Sequence, residues 1–305
     1  MPAFFADGTP ATILMRSGGF LVPTSAIAIE QPALPPDEAD WEQLFADRDL
    51  VGLDGWYEGY TGARYTPTRA HDDGVVDDAW LASNEGNGNV SLVGGQWLVE
   101  RMSAGNFRVA ASNVTFRDCV ISSGGNFHGF SNYIGENPSG IVIEHCTIDG
   151  QAADWLGITF GSATEPGQIT SRRNNITGYR CGMQIIGGFI AEENWVHDLH
   201  YAEPDPHVTG VSIRSRNVLV RRNRIADGNS SALAFYDENT PYTGIVAEEN
   251  IISTGSSQYE VSYPGTPSVG ADVSLIGNLF ERGSIANGHN FTVKTGNVNL
   301  AGDPV

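Results

Sequence analysis

The chain has 305 residues, with 17 Lys and Arg against 36 Asp and Glu, a formal net charge of −19. A surface of that sign repels a phosphate backbone, so nucleic acid is excluded as the expected ligand. Hydrophobic residues at 40 % suffice for a core, while 17 % charged residues and 37 Gly suit a turn-rich all-β chain.

In chain order, residues 1–34 read as a small β module. Ile13–Met15 and Phe20–Val22 flank Arg16-Ser17-Gly18-Gly19 as a hairpin, and Ile27 and Ile29 continue the alternation as a third strand. So short a unit needs partners, which makes it an attachment or oligomerisation module. The opening MPAFFADGTP lacks the basic and apolar regions of a signal peptide, and no stretch approaches 18 apolar residues, so neither export nor membrane insertion is expected.

Residues 35–88 form a linker and cap. Three prolines between Gln31 and Pro36 stiffen the chain, and Asp37 caps a short helix with Trp41, Leu44 and Phe45 on one face. Such a helix would cover the open end of a sheet. Trp56, Tyr57, Tyr60 and Tyr65 follow among glycines, as cap packing or as a sugar platform.

From residue 89 to 305 the text repeats. NVTFRDCVISSG, IVIEHCTIDG, ITSRRNNITG, FIAEENWVHD, VLVRRNRIAD, IVAEENIIST and VSLIGNLFER share one pattern. The aligned positions are Cys119, Cys146, Asn175, Asn194, Asn223, Asn250 and Asn278, separated by 27, 29, 19, 29, 27 and 28 residues. Alternation with period 2 marks strands with one buried face, and a constant period marks stacked units that cannot bury their faces alone. Strands joined by turns, with no helical period between them, predict an all-β right-handed parallel β-helix. Asn suits the repeated bend because its amide donates to one neighbour and accepts from another. Cys119 and Cys146 stand one above the other as small buried thiols or as a bridged pair, and Cys181 reads as a buried apolar residue.

One rung departs from the rest. Seventeen residues separate Asn194 from Val211, against 10 from Asn223 to Leu233 and 11 from Asn250 to Val261. The extra segment, DLHYAEPDPHVTG, follows His197 and carries Asp198, His200, Tyr201, Glu203, Asp205 and His207. Loops on a rigid scaffold concentrate function. With Val211 and Ile213 inward, Ser212 and Arg214 face outward, and Thr159, Gln184 and Tyr236 are their expected neighbours in a polar stripe. Arg214 or Arg216 would neutralise a uronate carboxylate, which acidifies the adjacent C–H for removal by His207 or Tyr201. His197, His200, Glu203, Ser212, Arg216, Gln184 and Tyr236 are the candidate substrate-binding groups. Imidazoles of His197, His200 and His207 and carboxylates of Asp237 and Glu238 offer metal ligands without metal-site spacing, so no metal or other cofactor is expected.

The repeat over residues 90–300 resembles the pectin-lyase-like β-helix superfamily, whose members carry an inward Asn ladder. Asp205-Pro206-His207 is similar to the first three residues of the Asp-Pro-His-Glu motif of alginate C5-epimerases of that fold. That resemblance implies His207 and Tyr201 as an acid–base pair and Asp205 as a supporting carboxylate. Val208 stands where the motif has Glu, and Tyr201 lies four residues before Asp205 instead of three.

The phrases SNVTFRDCVI and RNVLVRRNRI resemble those of bacteriophage minor tail proteins, and one Lys against sixteen Arg reads as the coding bias of a GC-rich source. The resemblance implies a virion tail protein, commonly a homotrimer. The N-terminal module would join other tail proteins, and the β-helix would present a groove to host-surface polysaccharide. A depolymerase, lyase or epimerase acting on acidic glycan is the alternative, and a cytoplasmic sugar-acting enzyme the third.

Overall fold

The computed structural model describes residues 15–16, 19–20, 89–92, 97–100, 103–123, 128–132, 137–161, 169–200, 208–226, 230–236, 242–253, 259–264, 267 and 270–305. The chain divides into two compact units, Met1–Leu34 and Pro35–Val305. In the first, Met15–Arg16 pairs antiparallel with Gly19–Phe20, Arg16 opposite Gly19. The sequence reading reserved Arg16 and Gly19 for the turn. Backbone pairing takes both into the ladder and leaves only Ser17 and Gly18 between the strands. The third strand at Ile27, the linker, the capping helix from Asp37 and the aromatic cluster around Trp56 lie outside the described residues.

The second unit is a parallel β-solenoid. One wall is a sheet of nine parallel strands, running in order from Trp97–Glu100 through Val114–Arg117, Ile141–Glu144, Ile169–Arg172, Phe189–Glu192, Val218–Arg221, Ile245–Glu248 and Val273–Ile276 to Val293–Thr295. The other strands form a second sheet of two columns. Short strands such as Trp195–Val196, Arg224–Ile225 and Ile251–Ile252 make the first column, and longer ones such as Thr209–Ile213, Ser231–Phe235 and Tyr259–Ser262 the second. Thr147–Phe160 and Asn175–Ile185 run through both columns, which joins them into one sheet. Alternate residues point inward. Phe107, Phe130, Ile158, Met183, Val211, Leu233 and Val261 stack as register partners and are wholly buried. Each such side chain contributes about 1.5–3 kcal/mol by leaving water.

The internal amide column is present, with one correction. Asn174, not Asn175, is the ladder residue of its rung. Asn174 Oδ1 accepts the Cys146 backbone N–H at 2.8 Å, and Asn174 Nδ2 donates to Asn194 Oδ1 at 3.1 Å. The column then runs through Asn194, Asn223, Asn250 and Asn278 and ends at Asn297, a member the repeat pattern did not reveal. All six are at most 2 % exposed. Two adjacent asparagines made the alignment ambiguous. The residue before each ladder position has a positive φ, 53° at Arg173 and 55° at Glu193, and this bend is what aims the next side chain inward. Cys119 and Cys146 extend the column as buried free thiols. Burial pushes the third thiol, Cys181, up to about 12, which keeps it protonated and inert.

A second column was not foreseen. Gly129, Gly157, Gly182 and Gly210 succeed one another where the solenoid narrows. A Cβ on Gly210 would sit 2.4 Å from Ile225 Cγ2 and 2.6 Å from the Ala232 carbonyl. Only hydrogen fits where the next rung approaches this closely. The column continues as Ala232 and then Glu260, wholly buried, whose carboxylate accepts the backbone N–H groups of Arg282 and Ser284 at 2.9 and 2.7 Å. At the last rung, exposed Val293–Thr295 forms the edge of the nine-stranded sheet. The single lysine of the chain, Lys294, sits on that edge, where a charge discourages further strand addition.

Candidate functional site

Asn194 sits at the bend after the wall strand Phe189–Glu192, and Trp195–Val196 pairs with both neighbours. On the far side of the predicted insertion, Val208 is wholly buried and enters Thr209–Ile213. The strands on either side of the predicted insertion, Trp195–Val196 and Thr209–Ile213, thus belong to the first and second columns of the second sheet. Its Tyr201, Glu203, Asp205 and His207 lie outside the described residues, as do Asp237 and Glu238.

The stripe beside it is only partly as expected. Val211 and Ile213 do point into the core. Thr159, Gln184 and Ser212 are register partners, and Thr159 Oγ1 donates to Gln184 Oε1 at 3.5 Å. The next partner of Ser212 is Ala234, however, not Tyr236. Tyr236 lies two residues further along, level with Arg214, and the Arg214 guanidinium stands 5.1 Å from the Tyr236 ring centre. Arg214 Nε also donates to Ser212 Oγ at 3.4 Å. The structure therefore holds a cation over an aromatic face, flanked by hydroxyl and amide groups. Ser212 is 3 % and Thr159 8 % exposed, so the stripe is a covered floor with Arg214 and Tyr236 at its rim. Arg216 is exposed at the turn into Val218–Arg221, where its carbonyl accepts the Gly188 N–H at 3.2 Å.

The histidines at the root of the insertion are fixed. His197 stacks on Trp195 with ring centres 3.6 Å apart. Its Nδ1 lies 2.7 Å from Asp198 Oδ2 and its Nε2 2.8 Å from Asn175 Oδ1. With one face and both nitrogens occupied, His197 is a positioning group at the loop's base. This is also the place of Asn175, displaced from the ladder yet still buried beside His197. The His200 backbone N–H ties the loop to the Tyr179 carbonyl at 2.9 Å. Among the described residues no group of three or more His, Cys, Asp or Glu is arranged to hold a metal ion.

One feature of this face escaped the sequence reading. Trp155 is 45 % exposed, an unusual cost for an indole. It follows a bulge in which two successive non-glycine residues, Gln151 and Ala152, take positive φ of 50° and 66°. Asp149 Oδ1 holds that bulge by accepting the Gln151 N–H at 2.8 Å. His128 meets the Trp155 ring edge-on at 4.9 Å, and its Nδ1 accepts the Leu156 N–H at 3.3 Å. Burial lowers the His128 pKa and Arg108 lowers it further, and because Nδ1 accepts the Leu156 N–H the proton of the neutral ring sits on Nε2. Backbone strain that props up an exposed aromatic is a mark of use. The signal available in sequence was Gly150-Gln151-Ala152-Ala153-Asp154-Trp155, an irregular stretch within an otherwise alternating strand.

Fold and surface together define a parallel β-solenoid with a polar, aromatic-studded flank. No family model matches the sequence, and a search of curated proteins finds no match either.

Proposed function

We propose that this chain is a bacteriophage tail protein whose solenoid flank binds host-surface polysaccharide, with the corner insertion at the edge of the binding groove. The observation that carries the reading is the fixed spacing of Trp155, the Gln184–Ser212 floor and the Arg214–Tyr236 pair on one rigid flank. An exposed indole packs against the C–H face of a pyranose ring, and a guanidinium at the rim matches a uronate carboxylate. The rungs set Gln184 from Ser212, and Arg214 from Tyr236, about 4.8 Å apart, so little ordering cost falls on binding. The antiparallel hairpin of Met15–Phe20 supports attachment through the N-terminal unit, and a homotrimer is the assembly proposed for the virion.

The alternative, lyase or epimerase action on acidic glycan, is favoured by one relationship. His207 immediately precedes buried Val208, which delivers the chain into the strand that leads to Arg214. Incubation with host cell-wall polysaccharides, followed by mass analysis of binding and products, separates the readings. The binding reading expects affinity lost in Trp155→Ala and Arg214→Ala, unchanged in His207→Ala, and no new chain ends. Unsaturated products that vanish in His207→Ala would establish the enzyme instead. Absence of both binding and turnover would remove polysaccharide as the ligand. Light scattering of the full chain tests the trimer.

A further inference from the structure

The nine-stranded sheet carries a second periodicity on its outer surface. The last position of the first seven of its nine strands holds Glu100, Arg117, Glu144, Arg172, Glu192, Arg221 and Glu248, paired Cα to Cα in successive rungs. The residue after each of the last four is left-handed and outward: Arg173, Glu193, Arg222 and Glu249, with φ of 53°, 55°, 51° and 54°. From Arg172 to Glu249 both residues of a rung therefore share one sign, and the sign flips from each of these four rungs to the next.

Ion pairs bridge successive rungs of this ribbon. Glu144 accepts from Arg117 Nε at 2.6 Å and from Arg172 Nε at 2.7 Å. Arg221 Nε donates to Glu192 at 2.9 Å, and Glu193 joins Arg173 at 2.7 Å to Arg222 at 3.4 Å.

The core is nearly blind to which rung comes next. If the coil of Val218 to Phe235 were skipped, Phe189 would meet Ile245, Ala191 would meet Ala247 and Asn194 would meet Asn250. Val196 would then pack on Ile252, and Val211 on Val261. Every pair is of the same class as the native one, and the amide column would close again. Skipping the coil of Phe189 to Ile213 is equally tolerated, with Asn174 on Asn223 and Ile176 on Ile225. The outer surface is not blind. The first error sets Glu192 and Glu193 on Glu248 and Glu249. The second sets Arg172 and Arg173 on Arg221 and Arg222.

We propose that this alternating ribbon is a register code that decides which coil stacks on which during folding, a choice the repeating core leaves open. Each exposed pair is weak and screened, with the Arg side chains of the bridges 37–50 % exposed. Discrimination arises because the same positions attract in the native stack and repel in the skipped one.

The test uses the full chain with Cys introduced for Ile190 and Val246. These outward residues flank Leu219 natively, two rungs or about 9.6 Å apart, too far for a disulfide, and become neighbours only when the middle coil is skipped. In this background Glu192→Arg with Glu193→Arg places arginines opposite Glu248 and Glu249 in the skipped stack and opposite like charge in the native one. Refolding at low salt should raise the 190–246 cross-linked fraction about 5-fold over the parent, and 1 M salt should abolish the rise. Glu192→Gln with Glu193→Gln removes attraction in the native stack without rewarding the wrong one, and should cross-link near the parent's level. An Arg variant that cross-links no more than the Gln variant, or whose cross-linking is unaffected by salt, overturns the proposal.

Discussion

Asn223 Oδ1 accepts two hydrogens from one residue, the Asn194 backbone N–H and the Asn194 Nδ2–H, each at 2.9 Å. Asn223 Nδ2 meanwhile donates to the Ala191 carbonyl at 2.9 Å and to the Asn250 Oδ1 at 3.0 Å. A single amide thus satisfies donors and acceptors of the rungs on either side, at 1 % exposure. Asn223→Ala strands two buried donors of Asn194 at once. The expected loss is about 2–4 kcal/mol, read from the midpoint of chemical denaturation.

The glycine column predicts a contrast between two Gly→Ala changes. In Gly210→Ala the new methyl meets Ile225 and the Ala232 carbonyl well inside contact distance, and the carbonyl cannot step aside. In Gly161→Ala its nearest neighbour is 3.7 Å away. Thermal denaturation should show Gly210→Ala destabilised by about 1–3 kcal/mol and Gly161→Ala unchanged to within about 0.5 kcal/mol.

Glu144 sets an acid limit. Burial alone would raise its pKa, but hydrogen bonds from Arg117 and Arg172 outweigh this and hold it below the ordinary carboxylate range. The unfolded chain therefore takes up the proton first as pH falls. The contribution of Glu144 is complete above the unfolded carboxylate pKa and is lost as pH drops through the lowered folded value. Glu144→Gln should lower stability near neutral pH by about 1 kcal/mol and flatten the acid limb of a stability–pH curve. An acid limb as steep as the parent's would contradict the assignment.

Glu248 has the opposite sign. Burial, and then neighbouring Glu249, raise its pKa, while Arg221 and Arg222 oppose the shift only in part. Its charged form is a cost in the folded state, fully present above the raised pKa and relieved as pH falls through it. Glu248→Gln should stabilise the chain near neutral pH by a few tenths of a kcal/mol, with the gain fading in acid. A melting temperature that falls at pH 7 would refute this.

Much of the solenoid could be read from the text because its strands obey a local rule. Val218, Val220 and Ile225 alternate as any half-buried strand must, and Asn223 marks the bend whatever lies around it. The same rule failed at Asn174-Asn175, where two identical side chains compete and only the left-handed φ at Arg173 settles which turns inward. Glu144, Glu192 and Glu248 were visible as charges, but their alternation with Arg117, Arg172 and Arg221 has no meaning until rungs of unequal length are aligned.

By itself, then, the sequence determined the repeating unit and its inward face, since each depends on residues near one another along the chain. Only the tertiary structure decided what lies side by side across a rung: Ser212 beside Ala234 and not Tyr236, Trp155 raised on His128, four glycines in one file. Those neighbours are about 20 to 30 residues apart, and their alignment is set by the lengths of bulges and turns, which no local periodicity encodes.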